Sequence, residues 1–308
     1  YHFDREFLSG GWLGVDLFFF ISGYLISNKL ILGLRSQENY FRIFFKKRFL
    51  RLTPALISTV IFSNLFAYNF LSPSELKLHL DSAFYSLIYI SNFFYTNLDF
   101  YNSPNNKYLT MLHTWSLGIE EQFYILLPLI LVFVYKKNNQ IVRTFALLFV
   151  FSLVFSFITV SENLFYNPIG RFWEFLAGSI FMVFEDFLRN NIKAKTSILG
   201  MLLILFSFFV FDDNDINNTL PKFIALFGCS LFLLGKVDNY FTNFKLIQTL
   251  GNISYSLYLF HQPIIAFMFI QNDKISELNF YTKILIILIL FALSYFNWKF
   301  IENSFKNI

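Results

Sequence analysis

The amino-acid sequence predicts an all-α protein, a polytopic bundle of transmembrane helices with about nine spans and one further re-entrant or interfacial helix. Three observations point there. Of 308 residues, 56% are hydrophobic and 14% are charged, against about 25% charged in an ordinary soluble domain. Phenylalanine occurs 46 times, too often for one soluble core of this length, whereas a lipid-facing surface accepts apolar rings without penalty. The apolar residues also run in stretches close to the roughly 20 residues that a helical span requires.

Taken in chain order, the expected spans are residues 12–32, 53–71, 118–135, 143–160, 170–187, 197–211, 221–236, 253–270 and 283–301. Several are short, and flanking Lys and Arg can snorkel to accommodate them. A tenth stretch, 82–97, carries Ser82, Ser86, Ser91, Asn92 and Asn97 among its aromatics. The positive-inside rule decides its status. The segment 29–51 holds Lys29, Arg35, Arg42, Lys46, Lys47, Arg48 and Arg51 against Glu38 and is expected to be cytoplasmic. The next basic turn holds Lys136, Lys137 and Arg143, and it also lies inside when 82–97 does not cross. Arg189, Lys193, Lys195, Lys236, Lys245 and Lys306 then fall inside, and the acidic turn Asp212, Asp213, Asp215 falls outside. No internal repeat or low-complexity linker is visible, so residues 1–308 read as one domain. Residue 1 is Tyr rather than Met. An apolar helix is expected before it, so the chain is read as N-terminally truncated.

The net charge is +4. Its basic residues sit in loops, so no basic face for nucleic acid can form without crossing lipid. Cys229 is the single cysteine; it excludes an intrachain disulfide and reads as a small buried residue. Walker, GxGxxG, HExxH and GxSxG signatures are absent, and the four histidines show no metal spacing.

Ionisable groups inside apolar spans are functional hypotheses by default. Asp16 lies in WLGVDLFFFISGYLI, with Ser22 and Tyr24 on the same helix. Glu120 and Glu121 open LGIEEQFYILLPLIL, where a first helical turn favours acids, so one of them reads as a cap. Arg171 and Glu174, three residues apart in GRFWEFLAGS, share a helix face and can pair. His261 precedes Pro263, and Glu302 ends the last span. His79 reads as a residue of a polar loop. Arg48 and Arg51, in FFKKRFLRLTPAL, face the same way at the mouth of a span. Such a pair can grip phosphate through bidentate hydrogen bonds, or anchor the helix beside anionic lipid.

These stretches resemble the acyltransferase type 3 family of membrane acyltransferases. GGWLGVDLFFFISGYLIS is similar to the family's second helix, and KKRFLRLTPAL to its RxxR motif. LHTWSLGIEEQFYILLPL and RFWEFLAGS are similar to its central signatures, and GNISYSLYLFHQPI and SYFNWKFIENSF to its closing helices. The HTWSL and FIEN wording leans toward the branch that O-acetylates polysaccharides, including the O-antigen of lipopolysaccharide. Gln262 and Ser304 depart from the family's usual Trp and Pro.

The resemblance implies several roles. His2 matches the family's catalytic histidine by position, and its partner arginine would lie before residue 1. Acetyl-CoA or a related acyl-CoA is the implied donor, held by Arg48 and Arg51; no permanently bound cofactor is implied. A cell-surface glycan hydroxyl is the acceptor. Glu120, Glu121 or Asp16 would orient the imidazole. Trp115, His113, Arg171, Glu174 and His261 are the expected substrate contacts, with Trp115 and nearby tyrosines either stacking on sugars or forming an interfacial belt. The setting is multi-pass in the inner (plasma) membrane, among its lipids. Branch members often continue into an extracytoplasmic SGNH domain, which is not present in these residues. The competing class is a transporter or flippase of a lipid-linked glycan, which equally uses buried charge; the absence of repeats speaks for the enzyme. An assembly scaffold would need neither His2 nor paired arginines.

Overall fold

The computed structural model describes residues 8–36, 40–98, 109–134, 140–158, 165–191, 196–212, 215–216, 218–235, 244–271 and 279–306. His2 lies outside them. The elements are a 3-10 turn Ser9–Trp12 and helices α1 (Leu13–Ser36), α2 (Tyr40–Phe70), α3 (Pro73–Leu87), α4 (Ser91–Thr96), α5 (Thr114–Val134), α6 (Gln140–Ile158) and α7 (Pro168–Asn191), followed by α8 (Thr196–Val210), α9 (Thr219–Leu234), α10 (Lys245–Gln271), α11 (Phe280–Asn297), a π-helical turn Trp298–Glu302 and α12 (Asn303–Lys306). Among the described residues there is no strand.

Among the described residues, six helices are long and apolar enough to cross a bilayer: Ser9–Leu34, Tyr40–Phe70, Thr114–Val134, Gln140–Ile158, Lys245–Ile270 and Phe280–Phe305. Helices α8 and α9 are shorter apolar helices. Helix α7 has 24 residues, long enough to cross, and it carries the chain's buried Arg171 and Glu174. Every expected span therefore coincides with a helix. The protein is a multi-pass helical membrane protein. Its outward phenylalanines, such as Phe133 at 82% exposure, form a surface suited to lipid.

Two boundaries differ from the sequence reading. Helix α2 begins at Tyr40, well before residue 53, so Arg42, Lys46, Lys47, Arg48 and Arg51 stand on the helix rather than in a loop. Arg and Lys are good helix formers, and nothing between Tyr40 and Pro54 breaks the helix. Helix α5 begins at Thr114, so Glu120 and Glu121 fall in its second turn and no acid occupies the first. The macrodipole reading of one of them as a first-turn cap is therefore overturned.

The residues group into two compact units, Tyr1–Tyr40 with Ile119–Thr242, and Phe41–Gly118 with Asn243–Ile308. In the first, α1 crosses α7 backbone to backbone. A Cβ at Gly23 would collide with the Phe175 carbonyl, and one at Gly178 with the Phe20 carbonyl. Ser27 and Ser179 bond across the same crossing at 2.7 Å. Small residues that permit such approach are what membrane helices use in place of a hydrophobic driving force. The 3-10 turn is tied to the end of α8 by Ser9 Oγ donating to the Phe211 carbonyl at 2.7 Å and Trp12 Nε1 donating to the Asp212 carbonyl at 3.1 Å.

In the second unit the ambiguous stretch is a broken helix. Helix α3 ends in a Schellman pattern, with Ile90 N–H donating to the Tyr85 carbonyl at 3.0 Å and Tyr89 N–H to the Ser86 carbonyl at 3.1 Å. The left-handed position that glycine normally fills is taken by Tyr89, at φ 57°. Its hydroxyl is within 3.1 Å of Thr53 Oγ1, a tertiary contact that compensates the unfavourable backbone. Helices α3 and α4 have 15 and 6 residues. Neither covers the roughly 30 Å of a hydrocarbon core, and α3 buries His79, Ser82 and Ser86.

His79 therefore belongs to α3 rather than to a loop. It is buried, with Nε2 donating to Asn64 Oδ1 at 2.8 Å and Nδ1 accepting from the Thr110 hydroxyl at 2.5 Å. Burial pushes its pKa down to about 4. The unfolded chain takes up this proton near pH 6.5 and the folded chain resists it until about pH 4, so stability falls as pH drops through that window, by up to about 1.4 kcal/mol per pH unit. Melting curves in detergent from pH 7 to pH 4 are expected to show this slope in wild type and to lose it in His79→Gln. An identical slope in both would assign the acid sensitivity elsewhere.

Candidate functional site

Among the described residues of the first unit, four of the buried charged side chains form one cluster. Asp16 enters from the first turn of α1, and Arg171 and Glu174 from α7. Arg171 Nη2 lies 3.1 Å from Asp16 Oδ1, and Nη1 lies 3.2 Å from Glu174 Oε1; the three side chains are 3%, 0% and 0% exposed. The guanidinium also faces the rings of Phe165 at 5.2 Å and Phe19 at 5.5 Å. Lys222, at the start of α9, is a second buried cation. It stands 5.9 Å from the Trp12 ring and within electrostatic reach of Asp16, Arg171 and Glu174. Two acids and two bases thus balance in a medium where an isolated charge is costly. Sequence reasoning paired Arg171 with Glu174 but missed Asp16 as their partner, and it missed Lys222 altogether. The available signal was a lysine at the start of the apolar run of α9.

One layer along the same face of α1, the rings of Phe19, Phe175 and Phe123 stack, with centroids 4.4 and 4.6 Å apart. Beyond them Glu120 is buried. Ser22 Oγ donates to Glu120 Oε1 at 2.8 Å, and the Tyr124 hydroxyl donates to the same oxygen. Glu121 is half-buried. A further tie that the sequence did not suggest joins the Tyr24 hydroxyl to Glu185 at 2.7 Å, with Arg189 at 2.5 Å from the other carboxylate oxygen.

In the second unit Arg48 and Arg51 stand three residues apart on α2; Arg48 is half-buried and Arg51 is 46% exposed. Arg51 Nε lies 3.9 Å from Glu302 Oε1. Glu302 is buried and ends the π-helical turn through which the chain leaves α11, a distortion frequent at functional sites. Ser256 Oγ donates to Glu302 Oε2 at 3.3 Å, and Asn297 Nδ2 donates to Ser256 Oγ at 3.1 Å.

Farther along α10, Tyr258 and His261 meet His113. The imidazole rings lie 5.2 Å apart at 72°. Ser116 Oγ and the Tyr258 hydroxyl are 2.6 Å apart, and that hydroxyl donates to the His113 carbonyl. Trp115 is 6% exposed, so its ring belongs to the unit's interior rather than to an exposed belt. The structure thus brings Asp16, Arg171 and Glu174 together in one unit, and His113 and His261 together in the other. Among the described residues no group of three or more His, Cys, Asp or Glu could hold a metal.

A multi-pass helical fold that buries balanced charge and presents paired arginines on one helix defines a class of membrane protein with an intramembrane polar site. The chain belongs to the acyltransferase type 3 family, whose acyltransferase domain matches residues 5–303. It is 31% identical over 99% of its length to O-acetyltransferase OatA of Staphylococcus aureus, covering 54% of that protein. To the peptidoglycan O-acetyltransferase OatA of Listeria monocytogenes it is 28% identical, covering 99% of this chain and 53% of the relative. A putative O-acetyltransferase of Staphylococcus aureus is also 28% identical over 99% of the chain and 54% of its own length. The chain spans about half the length of the curated relatives it matches. No solved structure matches it.

Proposed function

We propose that this chain transfers an acetyl group from acetyl-CoA, supplied from the cytoplasm, to a hydroxyl of a cell-surface glycan, and that the glycan is peptidoglycan. The observation that carries this reading is the arginine pair. Within a family of acyltransferases, α2 carries Arg48 and Arg51 three residues apart, with Arg51 braced by buried Glu302. Two guanidinium groups on one helix face suit the phosphates of a coenzyme A donor. The acceptor follows the printed function of the Listeria relative and moves the expectation from lipopolysaccharide toward peptidoglycan. The basic residues of α2 support a cytoplasmic position for its start, in the plasma membrane.

His2 is the base or transient acyl carrier by family resemblance, since an imidazole exchanges protons near neutral pH. Asp16 is committed to Arg171, which leaves the orienting of that imidazole to Glu120 or Glu121. Arg171 and Glu174, bound to each other and to Asp16, then act on substrate through the shape of the site rather than by direct contact. Trp115, buried at the start of α5, acts on the sugar site through packing rather than by stacking on the sugar.

The test uses the full chain in proteoliposomes with radiolabelled acetyl-CoA inside and soluble peptidoglycan fragments outside. Wild type is expected to transfer label. Arg48→Ala combined with Arg51→Ala is expected to raise KM for acetyl-CoA by about 100-fold, as loss of two charge-assisted contacts implies. Label appearing on no glycan would sink the reading. Transfer with unchanged KM would return the arginines to membrane anchoring.

A further inference from the structure

We propose that His261 is a second proton-accepting imidazole of the transferase, fixed by its own backbone to receive the acceptor hydroxyl's proton, with His113 as its positioning partner. The inference rests on the acyl-transfer reading above and, within it, gives the acceptor's proton to His261 instead of His2 in a direct transfer from the thioester.

The geometry fixes the tautomer. His261 Nδ1 lies 2.5 Å from the Tyr258 carbonyl oxygen. A carbonyl only accepts, so Nδ1 carries the hydrogen and the neutral ring has its lone pair on Nε2. A base whose second nitrogen is anchored in this way is oriented before substrate arrives, which is the part an aspartate plays in a serine hydrolase triad.

The surroundings are built rather than incidental. The segment that brings in His113 is fastened to α10 at two points. Gln262 Nε2 donates to the Leu109 carbonyl at 3.1 Å, and the Tyr258 hydroxyl donates to the His113 carbonyl. The His113 ring then stands edge-on to His261 and packs against Tyr258 at 5.2 Å. His113 is buried, while His261 keeps part of its surface accessible, as a group that must meet substrate requires.

The position along the helix is informative as well. Ser256, five residues before His261, touches Glu302, the brace of Arg51. Five residues rise about 7.5 Å along a helix. One helix of one unit therefore links the cationic mouth proposed for the donor to an oriented imidazole deeper in the span. The step balances. The acceptor O–H proton passes to His261 Nε2 as the oxygen bonds to the acyl carbon. The carbon–sulfur bond of the thioester breaks, and the imidazolium returns the proton to the leaving thiolate.

The test measures kcat and KM for acetyl-CoA in the same proteoliposomes. His261→Asn keeps an N–H donor near the Tyr258 carbonyl but has no basic nitrogen. It is expected to lower kcat by about 100- to 10,000-fold while KM for acetyl-CoA stays within about threefold. His261→Gln is the second variant where asparagine does not fold, and the same split is expected. Retained kcat in either folded variant, with wild type active, overturns this inference and leaves the proposed function standing. An inactive wild type overturns both. A loss confined to KM also removes His261 from proton transfer.

Discussion

Replacing Arg171 with methionine is expected to destabilise the folded protein by about 3–5 kcal/mol, because it leaves two carboxylates buried with one cation between them. Asp16 and Glu174 are fully buried and meet on the same guanidinium, at 3.1 and 3.2 Å. Arg171 is 3% exposed, so water cannot replace it without opening the packing of α1 on α7. Counted at formal charge, Asp16, Glu174, Arg171 and Lys222 sum to zero in the wild type and to −1 in Arg171→Met. Adding Asp16→Asn restores one acid facing one base and is expected to recover a large part of the loss. The measurement is the melting temperature and folded yield in detergent of wild type, single and double variants. If the double variant is no better than the single, charge balance is not what the cluster provides, and the guanidinium's packing against Phe19 and Phe165 is the stronger account.

The same cluster shows how far the sequence reaches. Arg171 and Glu174 were legible as a pair because a spacing of three fixes them on one face of α7. Asp16 was legible as costly, since it sits in an apolar helix, but its partner was not. Pairing α1 with α7 is a tertiary fact that no local period encodes. Lys222 was hidden by its place at the end of an apolar segment, where a lysine ordinarily snorkels to water; here it turns inward over Trp12. The spans themselves were legible, because twenty apolar residues in succession have few alternatives to a helix across lipid. Their ends were less so. Basic residues look like loop in a charge count, yet they extend α2 back to Tyr40, because the positive-inside rule fixes a side of the membrane and not a conformation.

The break in the ambiguous stretch was harder still. No glycine or proline marks it, and a tyrosine takes the left-handed position. A hydroxyl contact with Thr53 on α2, visible only in three dimensions, supports that choice. Likewise the pairing of Glu120 with Ser22 and Tyr124 separates it from Glu121, which adjacency in sequence could not do. His113 and His261, remote in sequence, meet because Tyr258 and Gln262 fasten one segment to one helix.

The crossing of α1 on α7 makes the second large prediction. Gly178→Leu is expected to abolish folding, and Gly178→Ala to cost at least the upper end of the 1–3 kcal/mol typical of overpacking. A Cβ at residue 178 meets the Phe20 carbonyl and comes within 2.9 Å of the Tyr24 nitrogen. Both belong to backbone, which cannot rotate aside as a side chain can. The two helices would have to separate, pulling apart the Ser27–Ser179 bond and the Asp16–Arg171 contact that depend on the same approach. Gly14→Ala on α1 is the matched control. Its new methyl meets no atom within 4 Å, and alanine is the better helix former by about 1 kcal/mol, so this variant is expected to melt at or above the wild-type temperature. Parallel melting curves and folded yields decide the matter. Were Gly178→Ala as stable as Gly14→Ala, the close crossing would not hold α1 against α7, and the buried charges between them would need another explanation for how they are kept from water.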